Sequence, residues 1–240
     1  MEIEKVLVFD LWGDYAHFRK IETTTSPLTY SFPTRTALSG LIAAIIGLAR
    51  DSYHDLFNSE DAILALRILS PVKKIRINLN LIKTDEGFYL WDIKENPRAP
   101  APFEFVKEPK YRIYCWLKDE ELCKKLKRCL EKHLSVYTPY LGISELIADF
   151  RFVGVLDAKA KEIKDKDREE VEIHSVIRRD KANVVVEEGK RYALENMPLF
   201  MDKDRKVLDY GDMIFETKGE PLRINRGIFY EIGEENVIPF

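Results

Sequence analysis

Cysteine is scarce: Cys115, Cys123 and Cys129, separated by seven and five residues, are the three in a chain of 240. They form neither a zinc-binding spacing nor an even disulfide framework, and a reducing cytoplasm suits them. Long hydrophobic runs are missing too. The longest, Ala37 to Ala49, has thirteen residues, against about 20 needed to cross a bilayer, so a core helix is expected and no membrane contact. The amino terminus MEIEKVLVFD is acidic and strand-like, unlike a signal peptide. An excess of positive charge is absent as well: 38 Lys and Arg face 41 Asp and Glu, for a net charge of −3. Any contact with nucleic acid must therefore use local patches.

Several chemical signatures are lacking. GLIAAIIG has no Lys-Ser or Lys-Thr after its second glycine, and no GxGxxG follows a strand, which excludes the common nucleotide loops. His17, His54, His133 and His174 are scattered without HExxH or paired cysteines, so no metal and no cofactor is expected. Metal-free RNA cleavage needs only a general base and a group that stabilises charge at phosphate. Tyr15, His17, Lys132 and His133 are the candidates, but each also reads as a loop or helix-end residue.

What is present is a core-forming composition, 45% hydrophobic and 33% charged, in an order of strands and helices. Residues 3 to 12 read as a central strand, and a polar loop leads to a helix entered at Pro33 and Thr34. VKKIRINLNLIK alternates as a second strand, and KYRIYCWL as a third. A helix capped by Asp119 runs to about His133, and ADFRFVGVL makes a fourth strand. The order βαββαβ predicts an α+β, ferredoxin-like fold of RRM type over residues 1–157. Residues 157 to 170, nearly all Lys, Glu and Asp, read as a solvated connection, and 158–240 as a smaller β-rich part.

The loop TTTSPLTYSFPTRT, 23 to 36, is dense in hydroxyls. With Arg19, Lys20, Tyr30, Thr34 and Arg35 it offers cations and hydroxyls for phosphate and ribose, and rings for stacking; capping and loop packing explain the same residues. Two further cationic clusters lie downstream, Arg178, Arg179 and Lys181, and Arg223, Asn225, Arg226 and Gly227.

GDYAHFRK followed by SPLTYSFPTRTALSGLIAAIIGL resembles the amino-terminal signature of the fifth CRISPR-associated protein family, within the RAMP superfamily. YTPYLGISELIADF and KRYALENMPLFMDKDRKVLDYGDMIFE extend the resemblance over most of the chain. It implies a noncatalytic, cytoplasmic subunit of a type I surveillance complex (Cascade) in antiviral defence, similar to type I-B or I-A versions. Such a subunit holds the 5′ handle of the CRISPR RNA, caps the filament of backbone subunits, adjoins the large subunit, and meets target DNA through the complex. The resemblance also implies a thumb-like hairpin insertion, placed here near residues 84–102. One branch of the family cleaves precursor RNA without metal, which keeps an endoribonuclease as the alternative; an assembly module without RNA is a third.

Overall fold

The structure, a computed structural model, describes residues 3–23, 26–82, 98–164 and 169–240. Strand β1 (Lys5–Trp12) is apolar on both faces apart from Asp10, because both are covered. Three two-residue strands follow, β2 (Tyr15–Ala16), β3 (Phe18–Arg19) and β4 (Thr29–Tyr30). Helix α1 (Arg35–Ile46) starts where the Thr34 hydroxyl accepts the Ala37 N–H, and it stops at Gly47, whose φ of 75° favours a residue without Cβ. Pro33 thus sits just outside the helix rather than at its first position.

Next come β5 (Ala62–Ile68), β6 (Lys74–Ile82), β7 (Arg98–Lys107) and β8 (Lys110–Leu117). Helix α2 (Glu120–Glu131) is capped by Asp119, whose carboxylate accepts the Glu121 and Leu122 N–H groups. The long β9 (Asp149–Ile163) leads into β10 (Val171–Ile173), β11 (Ile177–Arg178), β12 (Ala182–Val185), β13 (Tyr192–Met201), β14 (Val207–Glu216), β15 (Leu222–Ile232) and β16 (Glu235–Val237).

The largest sheet is antiparallel in the order β10-β15-β9-β1-β8-β5, with β12 and β16 also paired to β15. On one face Leu7, Phe9, Leu11, Leu64, Leu66, Ile113 and Cys115 meet α1 and α2 in the main core. On the other, Val6, Val8, Ala65 and Tyr114 pack under Ile232 and Val237, so Arg112, Tyr114 and Trp116 are roofed by the carboxyl-terminal strands. A smaller sheet, β11-β14-β13, closes on α1, with Met197, Leu199, Met213 and Phe215 joining the main core.

Two expectations are corrected. The second strand of the main sheet is β5, AILALRI, whereas VKKIRINLNLIK forms β6 and pairs with β7, whose other neighbour is β2, in a separate sheet. Residues 157 to 163 are not a turn: they continue β9 and pair with β15 from Ile163↔Gly227 to Ala158↔Ile232. The expected thumb falls on the β6–β7 hairpin; its residues 83–97 lie outside the described ones, and its arms are in view. Ile75, Ile77, Leu79 and Leu81 stand opposite Phe105, Phe103, Ala101 and Ala99, which gives the hairpin one wholly apolar face. Ile77 and Leu81 on that face are exposed.

Candidate nucleic-acid interface

The hydroxyl loop is tied down from three sides. Thr29 Oγ1 accepts the Phe18 N–H at 2.9 Å and donates to Tyr30 O at 2.8 Å. The Glu195 carboxylate on β13 accepts Ser31 N–H at 2.8 Å and its hydroxyl at 3.1 Å. Lys74, from the hairpin, donates to Thr29 O at 2.7 Å and to Glu195 at 3.1 Å, and Lys20 reaches Glu195 at 3.4 Å. One buried carboxylate therefore clasps loop, hairpin and β13, and two ammonium groups neutralise it.

Tyr30 is buried under the Lys20 ammonium, 5.2 Å from its ring centroid. Burial, with Glu22 and Glu195 adding to it, pushes its phenol up to about 12, so it stays neutral. Thr34 serves as the helix cap. Arg35 is 2% exposed. Its guanidinium donates to the carbonyls of Phe57, Asn58 and Ala62, the last at 2.9 Å, and lies 4.1 Å from the Phe200 ring. Burial lowers it to about 10, still charged at neutral pH. Arg19 stays exposed, with a hydrogen bond of 3.1 Å to Thr23 O. Thr24 and Thr25 lie outside the described residues.

The two downstream cationic clusters meet. A groove of about 970 Å³ is lined by Arg179 and Lys181 from the β11–β12 turn, Arg226 from β15, and Lys164 from the end of β9. Arg35 also borders it, while Glu162 and Asp180 are the carboxylates in its lining. With Arg35 buried, four exposed cations against two carboxylates give a positive patch on a molecule of net charge −3. Tyr230 and Phe240 add rings. Gly227 lies within β15; a Cβ there would come within 3.0 Å of the Ala182 Cβ, so glycine lets β12 close against β15 and shape the wall. Arg178 is turned away, paired with Asp180 at 2.8 Å and Asp209 at 3.0 Å, and Arg223 is paired with Glu170, Glu172 and Glu187. In the sequence Lys181 stands with Arg178 and Arg179, whereas Lys164 belongs to neither cluster; only the pairing of β9 and β12 with β15 unites them.

Of the cleavage candidates, both histidines are engaged by their own neighbours. His17 is 1% exposed, donates from Nδ1 to Glu104 O at 2.7 Å, and sits against Phe103 and Phe105. Burial lowers its pKa, which leaves a neutral ring enclosed by protein. His133 closes α2 with φ of 51°, stacked on Phe150 and 3.2 Å from Asp149. No cluster of three metal-ligating side chains occurs among the described residues, and no helix there is long and apolar enough to cross a membrane.

This fold is shared with CRISPR proteins of known structure. A crystal structure of a CRISPR protein from Archaeoglobus fulgidus is 17% identical, with a TM-score of 0.60 over 98% of this chain and 99% of that one. A chain of a CRISPR RNA-guided surveillance complex is 15% identical, with a TM-score of 0.52 over 90% of this chain and 91% of that one. The family described as CRISPR-associated protein (Cas_Cas5) matches residues 6–215, and the chain belongs to it. No curated protein matches the sequence. Family and fold together support a role in a CRISPR effector complex.

Proposed function

We propose that the protein is an RNA-binding and assembly subunit of a type I surveillance complex, of I-B or I-A style, which grips the 5′ handle of the CRISPR RNA and caps the backbone filament. The observation that carries this reading is the groove in which Arg179 and Lys181, from the β11–β12 turn, and Arg226, from β15, converge. Cations there neutralise phosphates, and Tyr230 offers a ring to an unstacked base. Exposed Arg19 is a further contact, while Tyr30, Thr34 and Arg35 hold the scaffold behind it. The strands β9-β1-β8-β5 with α1 and α2 read as a ferredoxin-like unit over residues 1–157, and 158–240 as the β-rich part that supplies most of the groove. The apolar face of the β6–β7 hairpin suits a thumb that packs on a neighbouring backbone subunit.

The test is fluorescence anisotropy of labelled repeat RNA against salt, in EDTA. The expected result is binding that weakens as salt rises, with a slope of about −0.7 per phosphate contact on a single strand. In Arg179→Glu/Lys181→Glu affinity falls about tenfold or more and the slope becomes shallower. Unchanged binding in that variant sinks the assignment, and site-specific cleavage of the RNA in EDTA replaces it with an endoribonuclease.

A further inference from the structure

A second groove, of about 690 Å³, runs along the outer side of α1 and is distinct in lining from the cationic one. Its base is made of small helix residues, Ala37, Gly40 and Ala44, and the Tyr53 hydroxyl packs so closely on Gly40 that a Cβ there would come within 2.8 Å of it. Tyr53, Tyr137 and Tyr140 line it, and Arg50 and Arg205 complete its rim. Tyr137 and Tyr140 are 53% and 46% exposed, much ring surface for side chains with no partner to cover them in the isolated chain.

The groove is built rather than incidental. Main-chain bonds from Val136 N–H to Ile45 O and from Tyr137 N–H to Ala44 O, each 3.1 Å, dock the tyrosine segment against the end of the helix. Asp51 and Arg205 both have left-handed backbones, φ of 62° and 61°, costly for residues with a Cβ, and they face each other at 2.8 Å. Arg50 reaches the same Asp51 carboxylate at 3.3 Å. Two guanidinium groups thus share one carboxylate, and the rim keeps a positive charge beside three phenol rings. Flat rings flanked by tyrosines, hydroxyls at their edges and a cation at the mouth match a nucleotide: a base to stack, edges to hydrogen-bond, a phosphate to pair. An apolar protein segment would use the rings but not the arginine charge.

We propose that this groove seats an unstacked nucleotide of single-stranded nucleic acid, its base against Tyr137 and Tyr140 and its phosphate at Arg50 and Arg205. The site does not rest on the handle reading, because it shares no lining residue with the cationic groove.

The test uses the full chain with 4-thiouridine RNA and 4-thiothymidine DNA octamers, crosslinked and mapped by mass spectrometry, with affinities measured in parallel. Crosslinks at Tyr137 or Tyr140 with RNA, DNA or both support the site, and the two arms show whether a 2′-hydroxyl is read. Tyr137→Ala/Tyr140→Ala, at exposed positions, lowers affinity for the octamer about tenfold, and Tyr137→Phe/Tyr140→Phe restores it, because the ring stacks without its hydroxyl. Arg179→Glu/Lys181→Glu leaves these crosslinks in place, so loss of handle binding and loss of this site are told apart. Crosslinks that never fall on these tyrosines, or an affinity the alanine pair leaves unchanged, overturn the proposal and leave the groove to a protein partner.

Discussion

Arg35 carries a charge into the core, held by main-chain carbonyls of the 57–62 turn and by the Phe200 ring. Removing it leaves those carbonyls unsatisfied and opens a cavity beside Phe200. Arg35→Ala should cost about 3 kcal/mol, from lost hydrogen bonds and packing together. Urea unfolding followed by circular dichroism measures it; a loss under about 0.5 kcal/mol refutes the structural role. RNA affinity lost in that variant is then not evidence of contact. This is where sequence reasoning had least purchase. Arginine beside hydroxyls has the composition of a phosphate site, and nothing in TYSFPTRT says that Glu195, 164 residues after Ser31, turns back to claim the loop. The dense hydroxyls have internal partners: Thr34 caps α1, Thr29 holds the β3–β4 turn, and Ser31 meets Glu195. Arg179 and Arg226 were legible as cations but not as neighbours, since only the β12–β15 register brings them together.

At the scale of elements, the strand that misled was the one with the clearest pattern. Alternation marks a strand with one face apolar and one polar, and β6 shows it because the hairpin carries an apolar face on which Ile77 and Leu81 stay exposed among the described residues. β5, AILALRI, shows almost none, because Leu64 and Leu66 face the helices while Ala65 faces the opposite cluster, so both sides are buried. Both helices and the third strand were legible because caps and periods agree: Asp119 and Thr34 cap as expected, and KYRIYCWL is β8 to the residue. The hairpin face also carries a prediction. Ile77→Lys/Leu81→Lys changes exposed positions, so thermal unfolding should move little, within about 0.5 kcal/mol. Incorporation into a reconstituted surveillance complex should nevertheless fail, because two ammonium groups would stand where an apolar contact forms. Normal incorporation by size-exclusion chromatography rules out that face as the assembly surface.

For the molecule as a whole, β9 decides how the parts are joined. Its first half pairs with β1 and its second with β15, so a single strand carries one sheet from the amino-terminal strands into the carboxyl-terminal ones. Glu235, at the start of β16, locks the two across the sheet face: it accepts from Arg67 at 2.6 Å, from Arg112 at 2.7 Å and from the Tyr114 hydroxyl. Arg112 also pairs with buried Asp10 at 2.8 Å, and Arg151 joins Asp10 at 3.1 Å, so the network reaches β1, β5, β8 and β9. The carboxylate that completes the cover over Arg112, Tyr114 and Trp116 lies 121 residues after Tyr114, a separation at which no local pattern in KYRIYCWL points to it. Glu235→Ala removes the carboxylate that Arg67 and Arg112 share in a partly buried site and leaves Arg112 with Asp10, and breaking such a pair costs about 3 kcal/mol. Because β9 couples the halves, that loss should appear in one cooperative urea transition that shifts as a unit for fluorescence and circular dichroism alike. Two separate transitions, with only the carboxyl-terminal one displaced by the variant, would show that the halves fold independently and that the shared strand does not bind them into one unit.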